Sequence, residues 1–259
     1  QRRSAVSRPA PFLAEIVMTY YKTTKDREYL KDVFPILLEN NDQWFEEGLP
    51  VWENLRQTGF ISNPIFSKWE DTGQGIDLSK VIAPDLLALL QQETSALIDI
   101  AKNLNRLGKI ELLESRLELL ADAINKTWDY RAATFRYQDI ETGTSSDSQQ
   151  LGKTTGPGKL KINKELKKPV RILVRLENPG DSLLESQITL KGVGLDGKTI
   201  TETFERKDFL WSGSTCVLTS KQVYSVINEV ALDRLSVQTN VSLQTPALIT
   251  FDHSLLIPI

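Results

Sequence analysis

The sequence has almost none of the residues that metal sites and nucleophilic triads are built from. Among 259 residues there is one cysteine, Cys216, and one histidine, His253. A single cysteine excludes an intrachain disulfide and leaves no cysteine-rich metal site. A histidine zinc site or a Ser-His-Asp triad would rest on His253 alone, so neither chemistry is expected. No metal and no cofactor is expected. One cysteine fits a reducing cytoplasm. No apolar run approaches the roughly 20 residues of a membrane span, so no membrane partner is expected. Charge of one sign is also lacking: 31 Lys and Arg stand against 34 Asp and Glu. The basic residues are scattered, which leaves no footprint for nucleic acid. The opening "QRRSAVSRPAP" holds no hydrophobic signal core and no initiator Met. The chain is therefore expected to be a piece of a longer polypeptide.

What is present is a core-forming share of apolar residues, 40%, arranged with two different periods. From residue 9 to 128 the period is helical. "PAPFLAEIVMTYYKTT" carries Phe12, Ile16, Met18 and Tyr20; "KDREYLKDVFPILLENNDQWFEEG" carries Leu30, Phe34, Leu37 and Leu38. Spacings of three and four residues suit one buried helix face. Asp26 is placed to cap the second helix and Gly48 to stop it, while Pro35 should kink it or mark a start. "APDLLALLQQETSALIDIAKNLNRLGK", ended by Gly108, and "IELLESRLELLADAINKTWDY" supply two more helices. Four such helices joined by turns form antiparallel hairpins.

Residues 141–168 are polar, rich in Gly, Ser and Thr and almost free of large apolar residues, and read as a linker. From Pro169 the period becomes two. Val170, Ile172, Val174 and Leu176 alternate with Arg171, Leu173, Arg175 and Glu177, and Asp196-Gly197 marks a hairpin. "STCVLTS", "VYSVINEVAL", "LSVQTNVSLQ" and "ALITFD" continue the pattern. The expected fold is α+β: helical hairpins over 1–140, the linker, and an antiparallel β-sandwich over 169–259.

Four stretches of the helical half carry a resemblance. "SRPAPFLAEIV" looks like a helix opening with Ser-Gln-Pro-Pro. "TKDREYLKDVFPILLENNDQWF" looks like the helix that follows it, and "IDLSKVIAPDLLALLQQETSALIDIAKNLNRLGK" like a segment following an acid loop. "ELLESRLELLADAINKTWDYRAATFRYQD" has a matching Trp-Asp…Phe-x-Tyr-Asp ending. Together they resemble the six-hairpin glycoside hydrolases, an (α/α)6 toroid, in the manner of trehalases, processing α-glucosidases and mannosylglycerate hydrolases. The resemblance covers about 130 residues and stops before the strand half.

The resemblance implies a carbohydrate partner, an oligosaccharide or disaccharide, and a general acid in "KWEDTGQGIDLSK", where the family reads Glu-Ser-Gly-x-Asp-x-Ser. Gly75, Asp77 and Ser79 fit that register and make Asp77 the acid, although Gly73 and Gln74 replace the Glu-Ser pair. An inverting enzyme holds acid and base roughly 6.5–9.5 Å apart so that a water fits between. Around Asp77, Trp69 and Trp52 can stack on a pyranose face. Glu70, Asp71 and Arg8 can bind hydroxyls or a substrate carboxylate. Asp77 can equally be solvated or cap the next helix, and Trp69 and Trp52 can be packing anchors. The general base and the remaining toroid hairpins are expected in flanking sequence, so the chain alone is expected to be inactive. In the strand half, Phe209 and Trp211 of "DFLWSGS" either stack on a sugar or pack in the core. The alternative reading is a noncatalytic carbohydrate-binding or adhesion protein, with helices as scaffold and the sandwich as module.

Overall fold

The computed structural model describes residues 11–54, 57–58, 75–179 and 186–248. The protein is α+β and divides into two compact units. Among the described residues, the first unit holds 11–54, 57–58 and 81–137, and the second holds the rest.

The first unit contains α1 (Leu13–Thr24), α2 (Arg27–Phe45), α3 (Pro84–Asn103) and α4 (Ile110–Thr127), with the two-residue strands β1 (Val81–Ile82), β2 (Trp128–Asp129) and β3 (Thr134–Phe135). The expected helices are all there. Asp26 caps α2 as its position predicts, its Oδ1 accepting from the Tyr29 amide at 3.0 Å. Pro35 lies inside α2 without ending it. The stop after α3 differs from expectation. Asn105, at φ 58°, takes the left-handed position, and Gly108 falls in a following 3-10 turn. Asparagine tolerates this conformation because its short side chain costs little there. Ala14, Met18, Leu30, Phe34, Leu97 and Ile100 meet in one core. Phe12, Ile16 and Tyr20 do not join it and stay exposed.

The second unit contains β4 (Gln138–Asp139), β5 (Gln150–Thr155), β6 (Gly158–Val170), β7 (Leu173–Glu177), β8 (Gln187–Val193) and β9 (Thr199–Phe204), then β10 (Leu210–Ser212), β11 (Thr215–Thr219), β12 (Tyr224–Asp233) and β13 (Asn240–Gln244). Two antiparallel sheets form, in the orders β10-β11-β7-β13-β5 and β6-β12-β8-β9. Val170, Ile172, Val174 and Leu176, read as one strand face, all enter a single buried cluster, but Val170 ends β6 and Val174 and Leu176 belong to β7, so the run is divided between the two sheets. Leu190, Phe204, Ile227 and Val230 of the β6-β12-β8-β9 sheet enter the same cluster.

Three expectations need correction in this unit. The stretch read as a linker holds β5 and most of β6. Leu160 and Ile162, alternating with Lys159 and Lys161, pack partly buried against the core, and Leu166 is buried in it. Lys159 and Lys161 are the outer half of that alternation. Arg171, read as outward, is buried with its charge met by Asp139 and Glu141. Ala247 and Leu248, read as a strand, are buried but belong to no regular element. The Asp196-Gly197 turn does join β8 to β9, with Gly197 at φ 74° and Asp196 Oδ1 accepting from the Lys198 amide at 3.0 Å.

Candidate functional site

The loop that carries Asp77 is described from Gly75 onward. Gly75 is buried at φ 62°, where an L side chain is strained. Ile76 and Leu78 are buried on either side of Asp77, which is itself half-buried. This part of the loop is therefore anchored by its apolar residues. The Asp77 amide donates to Thr219 Oγ1 at 3.3 Å. Its Oδ1 accepts from the Ser79 amide at 3.0 Å and from the Ser79 hydroxyl at 2.8 Å. Those bonds hold the 3-10 turn Leu78–Lys80, so the local task of Asp77 is to cap that turn. Its second oxygen has no partner among the described residues.

Trp52 does not offer a sugar platform. It is 1% exposed and packs edge-on against Trp44, with ring centroids 5.8 Å apart. Burial leaves neither face free for a pyranose, and the residue acts as a packing anchor. Arg8, Trp69, Glu70 and Asp71 lie outside the described residues. No group of three or more His, Cys, Asp or Glu side chains placed to hold a metal occurs among the described residues. No helix among them is long and apolar enough to cross a membrane.

A titratable group missed in the sequence is Glu93 on α3. It is buried, and its Oε2 accepts from the Ala14 amide at 2.8 Å. Burial raises its pKa to about 7, opposed by the amides of Ala14 and Glu15 and aided by the Glu15 charge. The carboxyl thereby caps α1, whose own N-cap residue, Phe12, has no side-chain acceptor. No local pattern identifies such a cap, because donor and acceptor stand 79 residues apart.

The strand unit carries a concavity of about 810 Å³, lined by Gln187, Arg206, Lys207, Phe209, Trp211 and Arg234 among others. Phe209 is buried in the core, and Trp211 packs against it while keeping part of its surface. Both aromatics singled out in the sequence thus line the concavity. Its cationic character is not legible in sequence, since Arg234 comes from beyond β12.

The 3-10 turn Arg206–Asp208 positions these groups. Glu205 and Asp208 form a reciprocal capping box around it. Asp208 accepts from the Glu205 amide at 2.9 Å and from Lys221 at 3.0 Å. Desolvation works against the Asp208 charge, but those two donors outweigh it and hold the carboxyl below its ordinary range. No family model and no curated protein matches the chain.

Proposed function

We propose that the chain is part of a glycoside hydrolase of the six-hairpin class, acting on an oligosaccharide or disaccharide. In this reading the helices are two hairpins of an (α/α)6 toroid, and the two sheets are a β-sandwich, inserted or accessory. Asp77 is the general acid, and the general base lies outside this chain.

The observation that carries the reading is the second apolar face of α1. Ala14 and Met18 are buried, yet Phe12, Ile16 and Tyr20 expose 42%, 57% and 47% of their surface. These three recur every four residues, and Tyr29 of α2 extends the stripe, packing edge-on against Tyr20 at 5.2 Å. A helix apolar on two sides suits packing partners on two sides, as each hairpin of a toroid has. The anchored loop supports the acid assignment, since Ser79 engages only one of the two Asp77 oxygens.

The test is hydrolysis of trehalose and α-glucosides by the polypeptide that includes the flanking coding sequence. Hydrolysis with inversion is expected there, lost in Asp77→Asn with the fold intact, while the 259-residue chain alone stays inert. An extended polypeptide that leaves every substrate whole, or an Asp77→Asn variant at full rate, overturns the reading.

The concavity beside Trp211 favours a second reading, a noncatalytic carbohydrate-binding protein with a helical scaffold. Saccharide binding by the chain without hydrolysis by the extended polypeptide would select it.

A further inference from the structure

The acids and bases around the concavity of the strand unit are unequally committed. Glu205 pairs with Lys207 at 2.9 Å, and Asp208 pairs with Lys221 at 3.0 Å. Arg206 pairs with neither. Its guanidinium lies over the Trp211 ring, 5.2 Å from the centroid. Among the described residues it makes no ion pair and no hydrogen bond through its side chain. The backbone beneath it is fixed, because Trp211 Nε1 donates to the Arg206 carbonyl at 3.4 Å. Arg234 lines the same concavity. Its backbone is left-handed at φ 58°, and its carbonyl accepts from the Ser186 hydroxyl at 2.7 Å. Among the described lining residues, Lys207 thus engages the carboxylate of Glu205 and Arg206 engages none.

We propose that this concavity binds an acidic carbohydrate, with the carboxylate of a hexuronate on Arg206 and its C–H face along the indole of Trp211. A guanidinium fork matches the two oxygens of a planar carboxylate and binds them in parallel. Stacking on Trp211 orients the fork and leaves its edge for the ligand. The apolar side of a pyranose suits the remaining aromatic surface. The choice of a sugar rests on the carbohydrate reading above; the demand for an anion rests on the geometry alone. None of residues 75–80 of the Asp77 loop lines the site, and binding there needs no hydrolysis.

The experiment is titration of the 259-residue chain with trigalacturonate, with neutral galactotriose and with galactose 6-sulfate, followed by calorimetry and ligand-observed NMR. Trigalacturonate is expected to bind at millimolar concentrations or below, and galactotriose at least about tenfold more weakly. Arg206→Gln should lose at least about tenfold in affinity, the weight of a charge-assisted pair. Trp211→Phe should weaken binding less than Arg206→Gln. The readout is binding to the 259-residue chain and not hydrolysis by the extended polypeptide, which separates failure of this site from failure of the glycosidase reading. No binding of trigalacturonate up to about 10 mM overturns the proposal. Equal binding of the neutral sugar, or an unchanged Arg206→Gln variant, also overturns it. Equally tight galactose 6-sulfate would overturn the carboxylate assignment by showing a general anion site.

Discussion

Glu93, in the third helix, closes the N-terminus of the first by accepting the Ala14 amide at 2.8 Å. The bond sets a helix dipole against a buried carboxyl whose pKa rises to about 7. Between 4.5 and about 7 the folded state holds this proton and the unfolded chain does not. The contribution of Glu93 is therefore fully present below pH 4.5 and is lost as pH rises through 7. At about 1.4 kcal/mol per tenfold, the rise from 4.5 costs roughly 3 kcal/mol above pH 7. Glu93→Gln keeps an acceptor and cannot ionise. Urea midpoints should show it gaining about 1–3 kcal/mol over the parent at pH 8, and little or nothing at pH 4.5. An equal difference at both pH values would contradict the assignment.

Arg171 is 4% exposed in its side chain and bonded to Asp139 at 2.6 Å and Glu141 at 2.9 Å. It also donates to the carbonyls of Ser220 and Lys221. Asp139→Ala leaves a buried guanidinium short of its main counter-charge, at a cost of roughly 3–5 kcal/mol. Thermal melts should show that loss, and the double variant Asp139→Leu, Arg171→Leu should lose less than Asp139→Ala alone.

Gly192 lies where β8 meets β12. A Cβ built there would come within 2.1 Å of the Val226 carbonyl and 2.7 Å of the Tyr224 ring. Both neighbours are on β12, which is paired on its other side with β6. Gly192→Ala should therefore cost about 1–3 kcal/mol in chemical denaturation. Gly197→Ala meets no neighbour but sits at φ 74°, so its smaller loss is strain alone.

Cys216 is buried in the core of the strand unit, and burial pushes its thiol up to about 12. The thiolate is the nucleophile, so iodoacetamide at pH 8 should leave the native chain unlabelled and modify it only in denaturant. Rapid labelling without denaturant would refute this.

The outer stripe of α1 gives a test of partnership. Ile16→Glu in the 259-residue chain should change stability by no more than about 0.5 kcal/mol, since the residue is exposed there. In the extended polypeptide the same change should cost about 2 kcal/mol or more, as burial of a charge without a partner does. Equal effects in both would remove the main support for neighbouring hairpins.

Element type was legible where periodicity was strong. Leu30, Phe34 and Leu37 announced α2, and Val174 and Leu176 announced the buried face of β7, but the run from Val170 to Leu176 that read as one strand is divided between the two sheets. The misreadings have physical causes. In β6, lysines outnumber apolar residues, so composition hid an alternation that Leu160 and Ile162 still obey. Trp52 looked like a platform because aromatic residues serve sugars and cores alike, and only its burial decides. Around Asp77, Gly75, which fitted the family register, is buried at a positive φ and precedes the buried Ile76.

The sequence by itself determined the secondary structure of most of the chain and the α+β class, with one cysteine and one histidine in its composition. These follow from composition and from spacings of two to four residues, which act within a single element. Only the tertiary structure decided that Arg171 is buried, that Glu93 caps a distant helix, and that Arg206 and Arg234 line one concavity. Each of those facts depends on residues about 30 to 80 positions apart being brought within a few ångströms. Burial and charge compensation are set by that approach, and no local pattern encodes it.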